Sequence, residues 1–131
     1  MSDSVEQVIY DYLTSDSTFM ANFTGVYWID APKDTASPYI VFWEVDNPND
    51  ETLLNKCDQG NSRIQCNLWD LNKNRGRRLR TVLRTKMLKL DQTNGGYYVR
   101  TDSVNSVTNQ RPSGTALYQF IVDSVINWHK V

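Results

Sequence analysis

The sequence predicts an α+β protein: an antiparallel or mixed β-sheet of about five strands with two main helices packed on it, in the order α-α-β-β-β-α-β-β. Three observations carry that expectation. Residues 5–13 and 79–90 repeat apolar side chains at helical spacing. Residues 38–45, 62–69 and 116–128 run apolar or alternate as strands do. Asn94-Gly95 and Pro112-Ser113-Gly114 are turn signals that separate the later segments. At 131 residues, 40% of them hydrophobic, the chain is expected to form one domain, 1–131, with a core that needs no staples.

The first helix is capped by Ser2 or Ser4 and buries Val5, Val8, Ile9, Tyr12 and Leu13, leaving Glu6, Gln7 and Asp11 on the other side. A short second helix follows within 14–23, capped by Ser15 or Ser17, anchored by Phe19 and Phe23 and ended by Gly25. Residues 26–30 make a short strand and 31–37 a loop. The strongest strand is "PYIVFWEV", 38–45, with Pro38 at its mouth where no ladder donor is required. A long polar excursion, 46–60, is expected to be part hairpin and part loop, with "QGNS" as a turn. In "SRIQCNLW", Ile64, Cys66 and Leu68 take one face, and Arg63, Gln65, Asn67 and Trp69 the other. Leu79, Val82, Leu83, Met87 and Leu90 then form the apolar stripe of an amphipathic helix. A strand over 97–107 precedes the last one, which sends Tyr118, Phe120, Val122, Ile126 and Trp128 to one face.

Several function classes find few parts here. The longest apolar run, 39–43, is far short of the roughly 20 residues that span a bilayer. The stretch "MSDSVEQ" lacks the basic and apolar regions of a secretory signal, so Cys57 and Cys66 are expected to stay reduced, with Cys66 buried. His129 is the single histidine, and no CxxC or HxxxH spacing accompanies it, so neither a hydrolase triad nor a metal site is expected. No phosphate-binding glycine loop is present. Glu44 and Asp46 share a strand face and are read as the solvent side of an edge rather than an acid–base pair. The expectation is a protein that is not an enzyme and carries no cofactor.

Charge is the informative feature. Residues 1–58 hold eleven acids against two bases, a balance of −9, while 59–131 hold twelve bases against four acids, a balance of +8. Such asymmetry favours head-to-tail contact between copies or a polarised surface. Eight of the fourteen bases fall within "LNKNRGRRLRTVLRTKMLKL", 71–90, which has no acid. At 100° per residue Lys73, Arg77, Arg80 and Arg84 form one ridge, with Arg78 and Lys89 on the other flank. Lys86 intrudes on the apolar stripe and is expected to snorkel. Arg75, Arg77 and Arg78 stand near the positive end of the helix dipole, where a cation costs about 0.3–1 kcal/mol. An acidic partner surface or a polyanion such as DNA is therefore expected opposite them, against the plain alternative of a solvated face.

The succession "SPYIVFWEV", "SRIQCNLWD", "RRLRTVLRTKMLKL", "GGYYVR" and "ALYQFIVDSVINW" resembles the tail-completion (tail terminator) proteins of long-tailed bacteriophages, over residues 5–128. The telling pieces are Pro38-Tyr39-Ile40-Val41 and Arg63-Ile64-Gln65-Cys66-Asn67-Leu68-Trp69; the dense arginine at the helix start departs from the family. The resemblance implies a virion protein, assembled in the host cytoplasm, that forms a ring, typically hexameric, on the head-proximal end of the tail. Such a ring stops tube polymerisation and offers a surface for head–tail joining. Its partners would be further copies of itself, the tail tube protein, the neck or connector proteins of the head and, transiently, DNA crossing the lumen; no membrane is involved. On this reading Lys73, Arg77, Arg78, Arg80 and Arg84 lie at a subunit interface or line the lumen. Asp46, Asp50, Glu51, Leu53, Leu54 and Lys56 make a contact loop for tube or neck. The alternatives are a small nucleic-acid-binding module built on the basic helix, or a related neck or head-completion protein.

Overall fold

The computed structural model describes residues 5–45, 59–94, 96–110 and 114–131, with backbone alone at 106–110. The elements run α1 (Val5–Thr14), α2 (Ser17–Met20), β1 (Gly25–Trp28), β2 (Tyr39–Val45), β3 (Gln59–Asp70), α3 (Lys73–Leu88), β4 (Asp91–Asn94), β5 (Tyr97–Gln110) and β6 (Tyr118–Lys130). The fold is α+β, and its mixed sheet has six strands in the order β1-β2-β3-β6-β5-β4. All neighbours pair antiparallel except β1 and β2, which are parallel.

The sixth strand, β4, is the one the sequence hid. Its residues Asp91, Gln92, Thr93 and Asn94 carry no apolar alternation, because a four-residue edge strand has little to bury. It is held by pairing with 97–100 of β5. The other edge, β1, is equally short. Both edge strands touch α1, so the sheet curls around its helices. The "QGNS" stretch is not a turn: 59–62 pair with 126–129 and extend β3 to twelve residues.

The inner, helix-facing side of the sheet follows the predicted alternation. Ile40 and Phe42 of β2, Ile64, Cys66 and Leu68 of β3, and Phe120, Val122 and Ile126 of β6 are all buried there. Against them pack Val5, Val8, Ile9 and Leu13 of α1 and Leu79, Leu83 and Met87 of α3, with Leu90 just beyond. Glu44 falls on this inner side with Ile40 and Phe42 and is half-buried, with its N–H on Glu6 Oε2 at 3.4 Å, at a point on β2 beyond the pairing with β1. Its supposed companion Asp46 lies outside the described residues.

One cap differs from expectation, and a second was not anticipated. Asp16, rather than Ser15 or Ser17, caps α2 by accepting from the Phe19 N–H. Asn72 caps α3 by accepting from the Arg75 N–H at 2.9 Å. One close approach fixes where α3 sits: Gly76 faces the buried ring of Phe120, and a Cβ there would lie 2.6 Å from Phe120 Cζ.

Candidate functional site

The outer side of α3 carries three of the four ridge residues, Lys73, Arg77 and Arg84, with Arg78 on its other flank. Lys73, Arg77, Arg78 and Arg84 are exposed, and none of them forms an ion pair with a described residue. Arg80 is different. It is half-buried, and its guanidinium lies 5.9 Å from the centroid of the Phe120 ring, so it packs down against the sheet. The candidate loop residues Asp46, Asp50, Glu51, Leu53, Leu54 and Lys56 lie outside the described residues.

Two of the eight bases form ion pairs with described residues. Arg75 meets the fully buried carboxylate of Asp70 through Nε at 2.8 Å and Nη2 at 2.6 Å. Asp70 also accepts from the Asn72 N–H at 3.0 Å, so an acid at the end of β3 sits at the start of α3. That acid offsets the dipole penalty on Arg75, which the sequence reading had left uncompensated. Lys86 reaches Asp16 at 2.8 Å and lies 4.0 Å over the Tyr12 ring, while Tyr12 Oη donates to the Lys86 carbonyl at 2.8 Å. It is therefore a tie between α3 and the α1–α2 corner, not a free snorkelling head. Burial, with the Asp16 charge behind it, raises the Tyr12 phenol above its ordinary value. The Lys86 hydrogen bond, aided by the Phe19 N–H, lowers the Asp16 carboxyl below its own.

The opposite side of the sheet holds a second feature that the sequence reading did not single out. No described helix covers this outer face. Tyr39, Val41 and Trp43 of β2 alternate onto it beside Trp69, Asn67 and Gln65 of β3 and Ile121 of β6. Tyr27 adds its ring edge-on to Tyr39 at 6.3 Å and folds over Gly25, which has no Cβ to obstruct it. Burial raises the Tyr39 phenol. The loop from Ile29 to Thr35 stands over this patch, and together they form an open groove of about 630 Å³ lined by Tyr39, Val41, Trp43, Trp69 and Leu117, with Asp30, Lys33 and Asp34 in its rim.

The loop turns through two residues in the left-handed region, Ile29 at φ 74° and Asp34 at φ 63°. For β-branched Ile29, with 58% of its surface exposed, that conformation is costly. Beside the groove, Asn67 is fully buried; its Oδ1 accepts from Gln119 Nε2 at 2.6 Å, and its Nδ2 has no partner among the described residues. A sequence signal for this face exists in retrospect: "YIVFW" is apolar at every position, as strands with both faces engaged are.

Among the described residues no group of three or more metal-ligating side chains converges, and no described helix is long and apolar enough to cross a membrane. Cys66 is free and buried; desolvation, then the Asp123 charge, pushes its thiol up to about 12. No protein-family model and no curated protein sequence matches the chain. A solved structure does match, over 99% of this chain and 99% of its own, with a TM-score of 0.67 at 13% identity. At that identity the chain shares a whole fold with its neighbour, and the likeness carries nothing about activity.

Proposed function

We propose that this protein is a non-enzymatic phage assembly subunit of the tail-terminator type: a ring that caps the head-proximal end of the tail tube, stops its growth and receives the head. The observation that carries the reading is the division of labour among the cations. Arg63, Arg75 and Lys86 are paired with acids of their own chain, at 2.6–2.8 Å, whereas Lys73, Arg77 and Arg84 on one ridge of α3, and Arg78 on its other flank, are exposed and without an ion pair among the described residues. Keeping several like charges adjacent and unneutralised at the start of a helix is unfavourable for an isolated monomer. An opposing surface supplied on assembly offsets that cost. The resemblance of the strand and helix segments to tail-completion proteins supplies the kind of assembly.

Electron microscopy tests this directly. Purified protein is expected to form rings, and particles assembled without it are expected to carry tails of uncontrolled length. Tails of normal length in its absence overturn the terminator role and leave a neck or head-completion role as the assembly alternative.

The same ridge favours one second reading, a nucleic-acid-binding module. A gel shift at two salt concentrations separates the two. Strong, salt-sensitive retention of duplex DNA by a protein that never forms rings supports the second reading.

A further inference from the structure

The helix layer and the bare sheet face of this chain complement each other in charge, but the sheet stands between them. The ridge is cationic and acid-free, with Arg77 and Arg84 seven residues and about 10 Å apart along one side of α3. The groove on the other face offers the indole and phenol rings of Trp43, Trp69 and Tyr39 beneath a rim in which Asp30 and Asp34 outweigh Lys33. Aromatic faces flanked by carboxylates suit a guanidinium, which stacks on the ring and donates to the acid. A volume of about 630 Å³ leaves room for more than one arginine side chain.

We propose that the groove between the 29–35 loop and β2–β3 receives the Arg77–Arg84 ridge of a second copy of this chain. The inference rests on the assembly reading above and names its contact. A polyanion is the wrong occupant for a groove rimmed by Asp30 and Asp34, and the ridge of the same copy lies across the sheet from it. Two unlike patches on one subunit make a heterologous contact, the kind that repeats head to tail around a closed ring. The left-handed backbone at Ile29 and Asp34 holds the rim over the strands, so the groove is shaped before the neighbour arrives.

Charge reversal tests the contact. The groove variant carries Asp30→Lys and Asp34→Asn, the latter because asparagine tolerates the φ of 63° at that position. The ridge variant carries Arg77→Glu and Arg84→Glu. All four positions are exposed, and circular dichroism checks that the fold is kept. Native mass spectrometry and sedimentation velocity read the oligomer. Each variant alone is expected to stay monomeric where the wild type assembles. An equimolar mixture is expected to recover rings with an even number of subunits, because alternating copies then place opposite charges in every contact.

If the groove variant assembles as the wild type does, or the mixture recovers nothing, the groove is not the partner of the ridge, although the ring itself stands. If rings persist in the ridge variant while duplex DNA retention is lost, the ridge is a DNA contact and the proposal falls. If the wild type stays monomeric at about 1 mM, where a contact of even millimolar Kd is substantially formed, the groove contact and the ring reading both fail.

Discussion

The close approach of Gly76 on α3 to Phe120 of the sheet gives a quantitative test of the fold on which both surfaces depend. Replacing Gly76 with alanine puts a methyl group 2.6 Å from Phe120 Cζ, and nearer still to Cε2. Ordinary carbon–carbon contacts lie at about 3.5–4.0 Å, so ring and helix must separate by roughly 1 Å. The Phe120 ring is fully buried, and the Arg80 guanidinium lies over it. Overpacking of this kind costs about 2–3 kcal/mol, the upper part of the usual range, because no exposed side chain can yield. Against that, alanine improves on glycine in a helix by about 1 kcal/mol.

The net expectation for Gly76→Ala is a loss of about 1–2 kcal/mol, or a Tm lower by about 3–8 °C for a domain of this size. Urea denaturation followed by circular dichroism measures the free energy, and a thermal scan measures the Tm. Phe120→Leu supplies the control. It is destabilising by itself, at about 1–2 kcal/mol, through lost burial. In the Gly76→Ala background it removes the clash, so the double variant should be more stable than the sum of the two singles by about 1 kcal/mol or more. A Gly76→Ala protein about 1 kcal/mol more stable than wild type, with additive behaviour in the double, would show that helix propensity alone operates there and that α3 does not rest on Phe120 as described.

Other interactions give expectations of their own. Asp70→Ala strips Arg75 of its partner and the Asn72 N–H of its acceptor; with the Arg75 side chain 39% exposed and able to rehydrate, the loss should be about 2 kcal/mol in chemical denaturation, and an unchanged midpoint would contradict the buried pair. Asp16 has a folded pKa below its ordinary 3.8, so it binds fewer protons in the folded state; the stability it contributes is full above about pH 4 and is lost as pH falls through the lower folded value. Lys86→Gln should flatten that acid limb of a stability-against-pH profile, and an identical limb in both proteins would place the dependence elsewhere. Cys66, buried and with its thiol up at about 12, should resist alkylation by iodoacetamide at pH 8 in the native protein and react once unfolded; peptide mapping that finds native Cys66 labelled quickly would contradict its burial.

Much of the scaffold is legible in the sequence because burial leaves a periodic trace. Helical spacing in "VEQVIYDYL" and in the stretch from Leu79 to Leu90 marks the faces that the structure buries, and alternation in "SRIQCNLW" assigns Ile64, Cys66 and Leu68 to the core side. Where burial is slight, the trace fails. β4 is polar at all four positions, and 59–62 become strand because β6 pairs with them. Most of the basic ridge was legible too, since charge on a helix follows from composition and spacing, but Arg80 turns down onto Phe120. The groove was not, because it is assembled from a loop and two strands whose neighbours no local pattern names.

Periodicity thus determined by itself which side of α1, α3, β3 and β6 is apolar, that the exposed cations of α3 lie off its apolar stripe, and the α+β class. Tertiary structure alone decided the strand order, the parallel pairing of β1 with β2, and which charges find partners. Lys86 meets Asp16 across seventy positions of chain, while Arg77 and Arg84, on the same helix, meet no acid among the described residues. The physical reason is that periodicity reports how a residue relates to its own helix or strand, whereas an ion pair depends on where separate elements come to rest against one core.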